Sequence, residues 1–98
     1  MWVDGGVRRG TDVIKCLALG AKAVGLGRSF LYSLCYGQEG AEQVVEIIRD
    51  ELETSMRLMG VNTIAELGPD CVNTRDVDHL VPAAQRSNWL RSLWKSRL

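Results

Sequence analysis

An α/β fold follows from three observations within the first thirty residues. Residues 1–3 (Met-Trp-Val) form a short apolar run that ends at Asp4, Gly5 and Gly6. "AVGLG" at 23–27 is a second short apolar run between turn signals, the composition of a parallel strand covered on both faces. The segment between the two runs carries helix start and stop signals. Strand, helix and strand in so short a stretch make a βαβ unit, whose parallel strands are joined by a right-handed crossover.

Each element has a local justification. The first strand ends in the loop "GGVRRG". Gly10 or Thr11 can cap the helix that follows, predicted over 12–19, with Asp12 well placed in its first turn and Gly20 as its stop. After the second strand, "SFLYSLCYGQEG" reads as a loop. The longest helix is predicted over 41–59, where Ala41, Val44, Val45, Ile48, Leu52, Met56 and Met59 recur at spacings of three and four and make one apolar face. Arg49/Glu53 and Glu53/Arg57 are i,i+4 pairs on its wet side, and Gly60 can end it. Thr63 to Glu66 has the capping-box pattern and opens a short helix that stops at Gly68-Pro69. Residues 70–81 read as irregular, and Pro82 can start a last helix carrying Trp89, Leu90, Leu93 and Trp94.

Composition narrows the function classes. The 98 residues are 46% hydrophobic and 24% charged with zero formal net charge, which gives no basic excess for nucleic acid and at most one small domain. Charge is unevenly spread, because Arg86, Arg91, Lys95 and Arg97 have no acidic neighbour over 86–98. That tail is a distinct electrostatic unit on an otherwise acidic chain. Cys16, Cys35 and Cys71 are odd in number and widely spaced, without a C-x-x-C pair. They argue against a disulfide framework and a zinc site, so no metal is expected and the thiols read as buried or half-buried in a reducing compartment. No apolar run approaches a membrane span, and no secretory signal pattern is visible.

The opening loop carries the chemistry. A loop at the carboxyl end of a parallel strand, feeding a helix N-terminus, is suited to an anion, because free backbone N–H groups and the helix dipole favour negative charge. Gly5 and Gly6 let the backbone approach a ligand, and Arg8 offers a planar fork for phosphate oxygens. Asp4, at the strand tip, can accept from sugar-like hydroxyls or orient an arginine. Gly27 and Arg28 stand at the next strand tip, so two glycine-arginine tips converge on one phosphate. In (β/α)₈ TIM barrels the loops after strands seven and eight often form such a site. On that assignment residues 1–3 end strand seven, 23–27 are strand eight and 41–59 are the last outer helix. The plain alternative is a glycine-rich turn with surface arginines.

"VDGGVRRGTDVIKCLALGAKAVGLGR", followed by "RDELETSMRLMGVNTIAEL", closely resembles the C-terminal end of the FMN-dependent α-hydroxy-acid oxidising family. Glycolate oxidase, other 2-hydroxy-acid oxidases and cytochrome-coupled L-lactate dehydrogenases are its members. The resemblance covers roughly residues 2–70. It implies that Asp4, Gly5, Gly6, Val7, Arg8, Gly27 and Arg28 bind the phosphate and ribityl chain of FMN. Ser29 departs from the proline that the family usually has after Gly-Arg, which loosens the loop and removes no ligand group.

The resemblance also implies what this chain does not hold. The family's base is a histidine in His-Gly-x-Arg, with a substrate-binding arginine beside it, and neither pattern occurs here; His79 stands apart as a surface or interface residue. A barrel takes about 250 residues, so the chain is read as its last quarter, with barrel sequence over 1–68 and an irregular linker and basic amphipathic tail over 69–98. The expected function is the FMN phosphate cradle of an oxidoreductase that converts L-2-hydroxy acids to 2-oxo acids, inactive in isolation. No residue present is assigned to catalysis. Two alternatives stand beside it. One is a fragment of another phosphate-binding barrel such as inosine-monophosphate dehydrogenase. The other is a non-catalytic remnant or interaction module, which would form a homo-oligomer or dock on a complementing barrel fragment. Ser96, Arg97 and Leu98 match a peroxisomal address read by an import receptor, with cytoplasm or mitochondrion as the other compartments.

Overall fold

The computed structural model describes residues 1–80. Strand β1 (Trp2–Asp4) leads through the glycine-arginine loop to helix α1 (Gly10–Ala18), and β2 (Ala23–Gly25) follows. The strands are parallel, with Trp2 opposite Ala23, Val3 opposite Val24 and Asp4 opposite Gly25. The βαβ expectation is therefore met, with both strands three residues long. Burial on both faces is not met: Ala23 and Val24 are half-buried, Gly25 is exposed and Trp2 is 83% exposed. Within the described residues α1 covers the sheet on one side only.

Helix α1 starts two residues earlier than predicted and is capped by Arg9, in extended backbone, instead of Gly10 or Thr11. Its far end is a Schellman turn. Gly20, at φ 106°, donates to the Leu17 carbonyl and Ala21 to that of Cys16.

The segment after β2 corrects the loop expectation. Helix α2 (Arg28–Ser33) runs into a 3₁₀ turn at Leu34–Tyr36. No glycine or proline interrupts residues 28–36, and Ser33 Oγ ties itself to the Phe30 carbonyl at 2.7 Å. Gly37, at φ 72°, turns the chain into α3 (Gln38–Met59), three residues ahead of its predicted start. Gly60, at φ 75° and ψ 24°, ends α3 as expected. Arg49 and Glu53 form the expected i,i+4 pair at 3.4 Å.

The core lies where α1 meets the chain after α3. Ile14, Leu17, Ala18 and Leu67 are buried together, flanked by Val13, Val24, Leu52, Met56, Val61 and Val72. Leu67 reaches this core from a 3₁₀ turn at Ile64–Glu66, which stands where a capped short helix was expected. The capping box does not close on Thr63, because Glu66 Oε2 accepts from the Asn62 N–H one residue earlier, at 3.2 Å. Pro69–Cys71 makes another 3₁₀ turn and Arg75–Asp78 a single helical turn, α4, within the stretch read as irregular. Cys16 is half-buried, whereas Cys35 and Cys71 are exposed, contrary to the reading of the thiols as covered. The helix expected after Pro82, the tryptophan-bearing basic tail and Ser96-Arg97-Leu98 lie outside the described residues.

Candidate functional site

The site begins at the strand tips. The register puts Asp4 beside Gly25, and a Cβ at Gly25 would stand 3.3 Å from the Asp4 carboxyl carbon. That bare position leaves room for the Asp4 side chain. Gly5 (φ 109°) and Gly6 (φ 71°) then turn the chain through backbone that L side chains avoid. Nothing stands within 4 Å of where a Cβ would project at Gly5, Gly6 or Gly27, so the space over these residues is open to a ligand. Val7 is buried and anchors the loop, and Gly10, also buried, anchors its other end.

All seven residues singled out above, Asp4, Gly5, Gly6, Val7, Arg8, Gly27 and Arg28, line one cleft of about 640 Å³. Gly25, Ser29, Leu31 and Tyr32 complete it. Its size falls within the usual range for small-molecule sites. Leu31 and Tyr32 escaped the sequence reading because 28–33 read as loop; as helix, Arg28 and Tyr32 are one turn apart on one face. Among the described residues neither Arg8 nor Arg28 belongs to an ion pair, so both guanidinium forks remain for an anion.

Arg9 lies differently. It lines a separate groove with Thr11, Asp50 and Glu51, and its guanidinium donates to Glu51 Oε1 at 2.9 Å. Glu51 Oε2 accepts the Gly10 N–H at 2.8 Å. The Arg9 hydrogen bond first, and the Gly10 N–H second, hold the Glu51 carboxyl below the ordinary carboxylate range, while Glu51 raises Arg9. Burial, with Asp12 adding to it, pushes the Cys16 thiol up, which keeps it protonated.

This arrangement corrects the expectation that the α1 N-terminus presents free donors. Arg8 N–H and Arg9 N–H both donate to Asp12 Oδ2, at 3.1 and 3.2 Å, and Gly10 N–H goes to Glu51. Asp12 N–H bonds the Arg9 carbonyl. Two carboxylates therefore stand where the helix dipole would have drawn an anion, and like charge repels one. Within the cleft, the Arg8 and Arg28 guanidiniums and the glycine backbone are the groups whose chemistry suits an anion. Glu51 carried no sequence signal, since its partner Gly10 lies 41 residues away.

With this geometry in place, comparison with known proteins decides the family. The FMN-dependent dehydrogenase family profile matches residues 1–74. This chain belongs to the FMN-dependent dehydrogenase family. L-lactate dehydrogenase (cytochrome) from Saccharomyces cerevisiae is 65% identical over 74 residues, which are 74% of this chain and 12% of the relative. 2-Hydroxyacid oxidase 2 from Mus musculus is 45% identical over 73 residues, 74% of this chain and 21% of the relative. The recombinant flavin-binding domain of baker's yeast flavocytochrome b2 superposes with a TM-score of 0.77 at 56% identity, over 89% of this chain and 23% of that domain's chain. The chain thus spans between about an eighth and a quarter of the proteins it matches.

FMN is the cofactor of this family, and the match selects it over the inosine-monophosphate dehydrogenase alternative. The residues present fit the phosphate end of FMN on structural grounds. Two guanidiniums without an ion pair among the described residues line the cleft, three glycines leave open space there, and Asp4 supplies an acceptor for a hydroxyl. His79 follows α4, is exposed, and does not line this cleft.

Proposed function

We propose that this chain carries the FMN phosphate cradle of an enzyme that oxidises L-2-hydroxy acids to 2-oxo acids. The gathering of Arg8 and Arg28 into one cleft with the bare backbone of Gly5, Gly6 and Gly27 is the observation that carries the reading. Arg8 and Arg28 grip phosphate oxygens in charge-assisted, two-point contacts. Asp4 accepts from a ribityl hydroxyl, and Val7 pins the loop to the protein. Bound FMN supplies a two-electron acceptor for the hydroxy acid, while the residues here provide placement and charge. On this reading β1 and β2 are the seventh and eighth strands of a barrel whose sequence runs to residue 68, with residues 69–98 as linker and tail. The base and the substrate-binding arginine belong to other strands, so the isolated chain does not oxidise hydroxy acids. The substrate class rests on relatives named for lactate and 2-hydroxy acids.

One observation favours a second reading, a non-catalytic interaction module. Trp2 is 83% exposed on a three-residue strand, and Leu58 is 85% exposed on α3. A chimera separates the two. Residues 1–74 replace the matching segment of the yeast L-lactate dehydrogenase (cytochrome), and FMN content and lactate oxidation are measured. Full flavin occupancy and turnover support the cradle. A folded chimera that purifies without FMN leaves the module as the better account.

A further inference from the structure

We propose that Glu51 is a positioning residue for the phosphate cleft: from α3 it clamps the Arg9–Gly10 end of the loop and so turns Arg8 toward Arg28. The proposal rests on the cradle reading and adds a residue that is outside the cleft and distant in sequence. Glu51 makes both bonds at once, Oε2 to the Gly10 N–H at 2.8 Å and Oε1 to the Arg9 guanidinium at 2.9 Å. Backbone contact reinforces the clamp, because the place of a Gly10 Cβ lies 2.6 Å from both Glu51 Cβ and Leu52 N.

The consequence for Arg8 is geometric. Arg9 is extended, at φ −134° and ψ 160°, and successive side chains on extended backbone point to opposite sides. Holding Arg9 on the α3 side therefore leaves Arg8 on the other, where it lines the cleft with Arg28. Asp12 fixes the same dipeptide from below by accepting both N–H groups, at 3.1 and 3.2 Å. Without Glu51, Arg9 is released and either arginine can swing to the cleft, so the site loses a defined fork. Preorganisation of this kind sets affinity through a neighbour that never touches the ligand.

The test titrates the full 98-residue chain with FMN and follows the loop amides by NMR. Glu51→Leu is expected to weaken FMN binding about tenfold, the scale of one lost charge-assisted contact. Glu51→Gln keeps an acceptor for Gly10 and is expected to stay within about threefold of the parent, as a neutral hydrogen bond would give. Val72→Ala lowers the unfolding midpoint through the core, outside the cleft, and should leave the affinity of the folded chain unchanged. If Glu51→Leu and Val72→Ala lower affinity only in proportion to stability, Glu51 is merely structural and the proposal fails. If Arg8→Ala and Arg28→Ala weaken FMN while Glu51→Leu does not, the cradle stands and the positioning role falls. If neither arginine change matters, the cradle reading itself is wrong.

Discussion

Gly10 of α1 and Glu51 of α3 meet with no room for a methyl group between them: a Cβ on Gly10 would lie 2.6 Å from Glu51 Cβ and from the Leu52 backbone nitrogen. Backbone cannot give way as a side chain can. Gly10→Ala is expected to destabilise the chain by about 1–3 kcal/mol through overpacking. Denaturant unfolding of the two proteins checks this, and equal midpoints would contradict the close approach.

The Arg9–Glu51 pair makes stability depend on pH in one direction. Hydrogen bonding to Arg9 and Gly10 holds the Glu51 carboxyl below its ordinary range. A depressed folded value means the contribution is present above the unfolded value of about 4.3 and is lost as pH falls through the folded value. Stability should decline on acidification through the carboxylate range, and Glu51→Gln should flatten that decline. Urea unfolding across that range reads both slopes.

Arg8 and Arg28 should each matter to flavin retention far more than Lys15, which lies in the last turn of α1 outside the cleft. In the yeast chimera, Arg8→Ala or Arg28→Ala is expected to cost about 1.5–3 kcal/mol of FMN affinity, the usual worth of a charged hydrogen bond. Lys15→Ala should fall below that. Flavin fluorescence titration ranks the three, and a larger loss at Lys15 would misplace the site.

The chain alone, with FMN added, should oxidise neither glycolate nor lactate. A general base contributes on the order of 100- to 10,000-fold in rate, and no residue lining the cleft is placed here as one. Oxygen uptake and dye reduction are the assays. Turnover abolished by His79→Ala would overturn the assignment of the base to another part of the barrel.

The tail makes a separate prediction. A fluorescent protein ending in residues 86–98 should appear as puncta that vanish on deletion of Leu98, as a carboxyl-terminal peroxisomal address requires. Diffuse or plasma-membrane signal indifferent to that deletion would favour an amphipathic membrane-surface helix instead.

Much of the molecule was legible in the residues because its signals are local. The glycine stops at Gly20 and Gly60 and the Arg49–Glu53 pair depend on neighbours within a few positions, and the βαβ unit closes within residues 2–25. Helix α2 was missed for an equally local reason. "SFLYSLCYGQEG" reads as loop, although 28–36 holds no breaker and folds as helix and 3₁₀ turn. Asp4, Gly5, Gly6, Arg8, Gly27 and Arg28 are legible because strand tips of a parallel pair are adjacent, and Val7 joins them only through the family resemblance.

The amino-acid order by itself determined where Gly20 and Gly60 free the backbone and that β1, α1, β2 and α3 form, since φ preference and side-chain periodicity act over one turn. It did not determine where the neighbouring Arg9 would go, for its side chain is chemically identical to that of Arg8. Tertiary structure decided that by bringing Glu51 from α3 against Gly10, 41 residues away, where its carboxylate takes Arg9 and the α1 donors. Coulomb attraction over 2.9 Å is open to any carboxylate in the chain, and only the packing of α1 on α3 selects which one arrives.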